Sequence, residues 1–277
     1  RIVKSKRVIL SLNYKKGIMG TQRIVNKFGT ILFEKPGTEF KSQKELVELA
    51  VKEGFVLRGA DNLSGAQLDY ANLREAELRH ANLVETNLVK AVLADADLTY
   101  ANLYRGRLFD AVLQRATLTH ANLSSASLTS ANLHGTRLLN ANLTCASLTN
   151  ANLTFCYLVG ANLKHTALPS PTMVLLAEWG HVSNELTADL MVWDSLNHPD
   201  PTAFDRWANG GKCPYSDTTV QRAAHFKERQ ELWGKGKVCS PYELMQRVLA
   251  EKCPPWTKEQ EQEFDHQFDT EVKGDTE

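Results

Sequence analysis

The sequence predicts an all-β solenoid, a four-sided parallel β-helix, set between a small N-terminal α/β cap and a mainly helical C-terminal domain. Three observations predict it. From Leu63 to Leu168 every fifth residue is leucine, 22 in unbroken register. Two positions before each leucine, from Ala66 to Thr166, stands Ala, Thr, Gly or Cys in all 21 cases; Asp61 departs from this rule, and Arg58 breaks the leucine series. Every second unit tends to read Ala-Asn-Leu, as at 71–73, 81–83, 101–103, 121–123, 131–133, 141–143, 151–153 and 161–163, with Ala-Val-Leu at 91–93 and 111–113.

A period of five fits neither ordinary element. On a helix at ~100° per residue the leucines would spiral over every side. On a flat strand an odd period would throw them onto alternate faces. A solenoid resolves this, because each five-residue unit forms one side of a coil, with leucine and the small residue turned inward. The ten-residue superperiod requires an even number of sides if like units are to stack, so four sides satisfy it and three do not. Twenty-two units make about 5.5 coils, a rod of roughly 26 Å at the usual strand spacing. Each buried leucine contributes roughly 1.5–3 kcal/mol before entropy is counted. Stacking coil on coil lines up Asn82, Asn102, Asn122, Asn142 and Asn162 as a ladder, expected to bond between coils.

The flanks follow from the need to cover open sheet edges. Arg7–Tyr14 and Thr30–Glu34 read as two short strands joined by a Gly-rich turn region. Ser42-Gln43-Lys44-Glu45 is a capping box opening a helix from about 43 to 53, stopped by Gly54, with Leu46, Leu49 and Ala50 suited to a lid. Pro169 and Pro171 stop the repeat. Met173–Trp179 is an apolar strand or cap. Helices are expected over Ser183–Leu196, from Asp200-Pro201 to Asn209, over Val220–Trp233, and from the capping box at Ser240-Pro241-Tyr242-Glu243 to about Lys252. Residues 257–277, with eight acids against two lysines, read as a solvated, partly disordered tail. The expected domains are 1–56, 57–168, 169–256 and 257–277.

Composition bounds the function. The chain of 277 residues is 43% hydrophobic and formally neutral, which excludes disordered and collagen-like classes. Apolar runs are too short for a membrane span. The N-terminal basic stretch flanks only Val8, Ile9 and Leu10, too short a core for a signal peptide. Five cysteines without disulfide-like spacing make a reducing cytoplasm the simpler reading. Neutrality hides asymmetry: residues 1–56 hold 12 basic and 5 acidic residues, 57–168 hold 9 and 8, and 169–277 hold 11 and 19. Oppositely charged ends suggest self-association or an attraction between the two ends of one chain.

Chemistry is sparse. The sequence has no phosphate-binding GKS/T loop, no HExxH and no GxSxG; Gly210-Gly211-Lys212 reads as a turn. Cys213, Cys239 and Cys253, with His198 and His225, offer zinc-ligand types, but their spacing matches no finger pattern, and buried free thiols fit better. Cys156 takes an inward small position and Cys145 an outward one. No enzyme, cofactor or metal is expected. Exterior columns are more informative. Glu75 stacks over Asp95 and Glu77 over Asp97, a four-carboxylate patch with Arg115 and Thr117 below; Glu85 stacks over Arg105. Another column holds His80, Tyr100, His120 and Asn140. Its neighbour holds Val89 and Phe109, and Tyr104 lies on a further column. Exposed aromatics on such a face suggest contact with a protein partner. Direct nucleic-acid binding is not expected.

The tandem A(N/D)LXX units between 63 and 168, some two fifths of the chain, resemble the pentapeptide repeat proteins. The lead-in Glu45–Gly54 followed by Leu57-Arg58-Gly59-Ala60-Asp61 is similar to the helical entry of bacterial and phage members. The resemblance implies a right-handed, four-sided β-helix with one pentapeptide on each side of every coil, and a non-enzymatic interaction or structural module. It also implies an alternative. Some members imitate DNA, bind DNA gyrase or topoisomerase IV, and protect it from quinolones. Three features set this chain apart from those members: a repeat region of net charge +1, more than 100 residues after the repeat, and leucine rather than phenylalanine at the central position.

Overall fold

A computed structural model describes residues 21–25, 29–36, 42–60, 63–200, 202–215, 226–254, 256–260 and 262–264. The chain opens with an antiparallel pair, β1 (Thr21–Val25) and β2 (Ile31–Pro36). Ile24 faces Phe33 across the pair, and both are buried. Arg23 faces Glu34 and bonds it at 2.8 Å. Helix α1 (Gln43–Lys52) follows. The Ser42 hydroxyl accepts from the Glu45 amide at 3.3 Å, satisfying one of the open donors of the first turn. Leu46, Val47 and Ala50 bury the inner face.

The repeat is understood by following its backbone amides, each of which needs a partner once buried. In the unit Asn82–Thr86 all five are accounted for. The Asn82 amide donates to Ala60 O, one coil back, at 2.9 Å; Leu83 donates to Asn102 O, one coil on, at 2.8 Å; and Glu85 donates to Tyr104 O at 2.8 Å. The Thr86 amide closes a β-turn onto Leu83 O at 3.2 Å. The remaining amide, that of Val84, is taken by the Asn82 side chain at 3.3 Å. The same scheme recurs along the array, and parallel bridges link every fifth residue to its counterpart one coil on, from Gln67–Asn87 to Ser147–Ala167. Four such bridges in each coil define four sides. Each side contributes a single bridging residue before the chain turns, so the β-pairing is parallel without extended strands.

The turn explains the rest of the pattern. Its third residue lies in the left-handed region, as at Tyr70 (φ 56°) and Asp95 (φ 62°), and this holds at every fifth position from Gly65 to His165. β-branched residues are strained there. None of these 21 positions holds Val, Ile or Thr, while the preceding position holds several threonines and valines. The leucines from Leu63 to Leu158 are buried to within about 1% of their surface, and the small residues fill the gaps between them. Where the small residue is threonine, its hydroxyl is satisfied inside: Thr86 donates to Leu63 O at 2.8 Å, and Thr136 to Leu113 O at 2.7 Å.

Both ends are covered by groups that imitate a missing coil. Helix α1 lies on the first coil, where the Glu48 carboxylate accepts from the Asn72 amide at 2.8 Å, and Lys44 Nζ donates to Asp69 O at 2.7 Å. At the far end, helix α2 (Pro171–Leu175), capped by Ser170, leads to a segment that continues the stack. Phe155 N donates to Leu176 O at 3.0 Å, Glu178 N donates to Cys156 O at 2.7 Å, and Glu178 bridges Tyr157. Helices α3 (Asn184–Leu196), α4 (Ala203–Ala208) and α5 (Pro241–Lys252) build the C-terminal part, with a 3₁₀ turn at Gln230–Leu232. Asp189, almost fully buried on α3, accepts from Arg247 of α5 and from the Lys237 amide. Phe204, Trp207, Tyr215, Phe226 and Trp233 form its ring-rich core. The end of α5 returns to the last coil: the Gly160 amide donates to Lys252 O at 3.1 Å, and the Cys253 thiol donates to Leu158 O at 3.0 Å.

Several expectations need correction. The partner of β2 is Thr21–Val25, which alternation alone had left within the turn region; Arg7–Tyr14 lies outside the described residues. Pro171 does not merely end the repeat, because it occupies the first turn of α2, where its missing N–H costs nothing. The α4 N-cap is Thr202 rather than Asp200, whose carboxylate instead accepts from the Thr202 amide at 3.0 Å. Of the expected helix over Val220–Trp233, Phe226 is helical, the chain turns after it, and Gln230–Leu232 forms a 3₁₀ turn; residues 216–225 lie outside the described residues. The start of the acidic segment is solvent-exposed, as expected, but ordered: residues 258–260 and 262–264 are helical, and Phe264 is buried against Trp256.

Candidate partner surface

The left-handed corner sets what the exterior presents. It projects one side chain per unit, and successive coils place such side chains above one another at the strand spacing. The corner column His80, Tyr100, His120 accordingly forms a stack of nearly parallel rings, with centroids 5.0 and 4.9 Å apart and planes 9° and 5° from parallel. Asn140 and Gly160 continue the column. Tyr104 and Phe109 lie on other columns and are exposed, with the Arg105 guanidinium 5.4 Å from the Tyr104 ring. Tyr70 is 60% exposed between Lys44 and Lys90, an aromatic that the sequence reading did not single out.

The carboxylate patch is more neutral than its sequence column suggests. Glu75 stacks with Asp95 and Glu77 bridges Asp97, as the coil register requires. Arg115 makes a two-pronged contact with Asp95 at 2.7 Å for each prong, and Arg74 reaches it at 3.3 Å. The Arg115 hydrogen bonds hold the Asp95 carboxyl below its ordinary range. Arg79 lies 3.6 Å from Asp97, whose carboxylate also accepts from the Thr99 amide and hydroxyl. Arg105 meets Glu85 at 3.2 Å. Arg74 and Arg79 were missed because they act on diagonals between neighbouring columns rather than along one column.

The asparagine ladder is present in register, with Asn82, Asn102, Asn122, Asn142 and Asn162 bridged in sequence. The bond that all five repeat is local, however. Each side-chain oxygen accepts from the backbone amide two residues on, at 3.1–3.3 Å. An inter-coil amide bond also joins Asn122 to Asn102 at 3.3 Å. Asparagine recurs because its short side chain supplies the one acceptor that the turn lacks.

Among the cysteines, Cys156, Cys239 and Cys253 are buried, Cys213 is partly buried and Cys145 is exposed. Burial raises the Cys253 thiol to about 12 and pushes Cys156 higher still. Among the described residues no three His, Cys, Asp or Glu gather to hold a metal, and His225 lies outside them. His198 Nδ1 accepts from the Asp200 amide at 3.0 Å. No helix among the described residues is long and apolar enough to cross a membrane.

This geometry is that of a repeat whose unit is five residues, and comparison with known proteins agrees. The family model described as Pentapeptide repeats matches residues 62–99, 76–111, 107–144 and 146–169, in eight copies. Residues 62–169 thus carry a pentapeptide repeat array. Among solved structures, the pentapeptide repeat protein Rfr23 from the cyanobacterium Cyanothece 51142 is 38% identical over 33% of this chain and 58% of its own, with a TM-score of 0.30. A pentapeptide repeat protein from Nostoc PCC 7120 is 35% identical over 26% of this chain and 64% of its own, with a TM-score of 0.17. QnrB1, a plasmid-mediated fluoroquinolone resistance protein, is 20% identical over 43% of this chain and 72% of its own, with a TM-score of 0.23. The chain thus spans less than two thirds of the first of these relatives. No curated protein gives a significant match.

Proposed function

We propose that the chain is a non-enzymatic protein-interaction module: a right-handed, four-sided β-helix that presents its exterior columns to a protein partner. In this reading residues 1–56 and 169–256 cap the helix of residues 57–168, and the described start of 257–277 packs beside the second cap. The partner surface comprises Glu75, Glu77, Asp95, Asp97, His80, Tyr100, His120, Tyr104 and Phe109. One observation carries the reading. The interior of the array is closed by leucines and small residues, while Tyr104 and Phe109 stay exposed at 36% and 41% and His80, Tyr100 and His120 stack along a separate corner. Exposed aromatics of this kind anchor protein interfaces, where they offer large contact area at low entropic cost. The handedness is that of the family, and pentapeptide repeat proteins are in general structural or interaction modules.

The test compares the intact chain with Tyr104→Ser/Phe109→Ser as bait in a native host. Both side chains are solvent-facing, so the fold is expected to survive, checked by circular dichroism. A protein retained by the first bait and lost from the second supports the surface. Identical capture by both baits refutes it.

A further inference from the structure

The ring column does not simply run out at the end of the repeat. Below His120 come Asn140 and then Gly160, which has no side chain to stack. Gly160 sits at φ 73°, and the Asn140 Oδ1 leans over it, into the place where a Cβ would stand. The chain returning from α5 covers this end of the column. The Trp256 indole N–H donates to Gly160 O at 3.1 Å, and the Trp256 ring leans on Phe264, with centroids 5.0 Å apart. Between the end of the column and this cover lies a half-open cavity of about 260 Å³. His120, Asn140, Trp256, Gln260, Glu263 and Phe264 line it, together with Gly160 and Pro254.

The lining selects a ligand class. Three of its side chains are aromatic, one is a carboxylate, and none is Lys or Arg. The indole donor is engaged by Gly160 O, and the Gln260 side-chain oxygen accepts from the Thr257 amide at 2.9 Å. The cavity is lined by the rings of His120, Trp256 and Phe264, the Glu263 carboxylate, and the Asn140 and Gln260 amides. Ring faces attract cations, a carboxylate matches the planar fork of a guanidinium, and a cavity below the usual size for drug-like ligands suits one small group. A flat cation also extends a stack of flat rings, which a tetrahedral ammonium does not.

We propose that this cavity binds a guanidinium group, the side chain of an arginine. The site overlaps the partner surface proposed above at His120 alone, and its test does not depend on that surface. The guanidinium can come from free arginine or from an arginine within a peptide, and the experiment separates the two. The intact chain, with its indole N–H resonances assigned, is titrated with L-argininamide, with L-lysinamide and with the blocked tripeptide acetyl-Gly-Arg-Gly-amide. The expected result is a saturable shift of the Trp256 indole resonance by an arginine ligand, with Kd of about 1 mM, the affinity of a few such contacts. Lysinamide is expected to bind at least ~5-fold more weakly, in line with the poorer match of ammonium to a forked, stacked site. Whichever arginine ligand binds tighter names the source. Glu263→Gln, an exposed and isosteric change, is expected to weaken arginine binding by at least ~5-fold with an unchanged circular dichroism spectrum. No saturable shift, equal binding of lysinamide, or binding indifferent to Glu263→Gln would each overturn the proposal.

Discussion

At the scale of the residue, the left-handed corner is where the repeat is most selective. An exposed position such as Ser125 (φ 57°) makes the point, because nothing about its burial restricts the residue type. Ser125→Val forces a β-branched side chain into a conformation that costs about 1–2 kcal/mol even for less crowded residues. Ser125→Gly relieves the strain while loosening the unfolded chain, so its net effect is expected within about 1 kcal/mol of zero. Denaturant midpoints of the two variants check this, and equal stability would show that the corner is not the constraint. Asp95 offers a second check. Its carboxyl is held below the ordinary value chiefly by Arg115, so the stabilising contact is complete above the ordinary carboxylate range and is lost as pH falls through the depressed value. Arg115→Ala is expected to move the Asp95 titration upward toward 3.8, read by carboxyl-carbon NMR. The accompanying difference in stability is small for so exposed a pair, present at neutral pH, and closes under acid.

At the scale of the element, the two caps do different work from the coils. A coil in the middle of the array receives hydrogen bonds from both neighbours, whereas the first and last must find them elsewhere. Glu48 supplies an acceptor to Asn72 at one end, and the backbone of Leu176 and Glu178 serves Phe155 and Cys156 at the other. Removal of residues 169–277 therefore strips the last coil of partners and opens the apolar column beneath it. The 1–168 fragment is expected to aggregate or associate end to end, while the intact chain does not; sedimentation velocity decides, and a monodisperse monomeric fragment would contradict the capping argument. These elements also mark what sequence makes legible. The coil was readable because its signal repeats 22 times, so the period, the four sides and the inward leucines all follow from Leu63–Leu168. The helices opened by Ser42, Ser183 and Ser240 were readable because a serine cap is a local signal. The pairing of Thr21–Val25 with β2 and the return of Trp256 to Gly160 were not, since each joins segments with no period in common. The exterior acids were placed correctly in columns, but their arginine partners lie on diagonals that a column reading passes over.

At the scale of the whole molecule, charge decides between the proposed interaction module and the DNA-mimic alternative. Duplex DNA carries about one negative charge per ~1.7 Å, so a rod of roughly 26 Å needs about 15 to imitate it. Residues 57–168 carry 8 acids and 9 basic residues, and their acids end at Asp110. Beyond Asp110 the next acid is Glu178, while Arg115, Arg137 and Lys164 remain. Within the acidic half, Arg115 and Arg74 engage Asp95, Arg79 engages Asp97, and Arg105 engages Glu85. A basic DNA-binding groove would thus meet a surface already neutralised on one half and mildly basic on the other, with no Coulomb gain to steer or hold the complex. The chain is accordingly expected neither to inhibit DNA gyrase nor to protect it at micromolar concentration, measured by DNA supercoiling with and without a quinolone. Inhibition or protection that disappears when Glu75, Glu77, Asp95 and Asp97 are together replaced by alanine would reverse the conclusion. It would place the enzyme on the acidic half of the solenoid, where Glu75 and Glu77 are the exposed acids available to meet it.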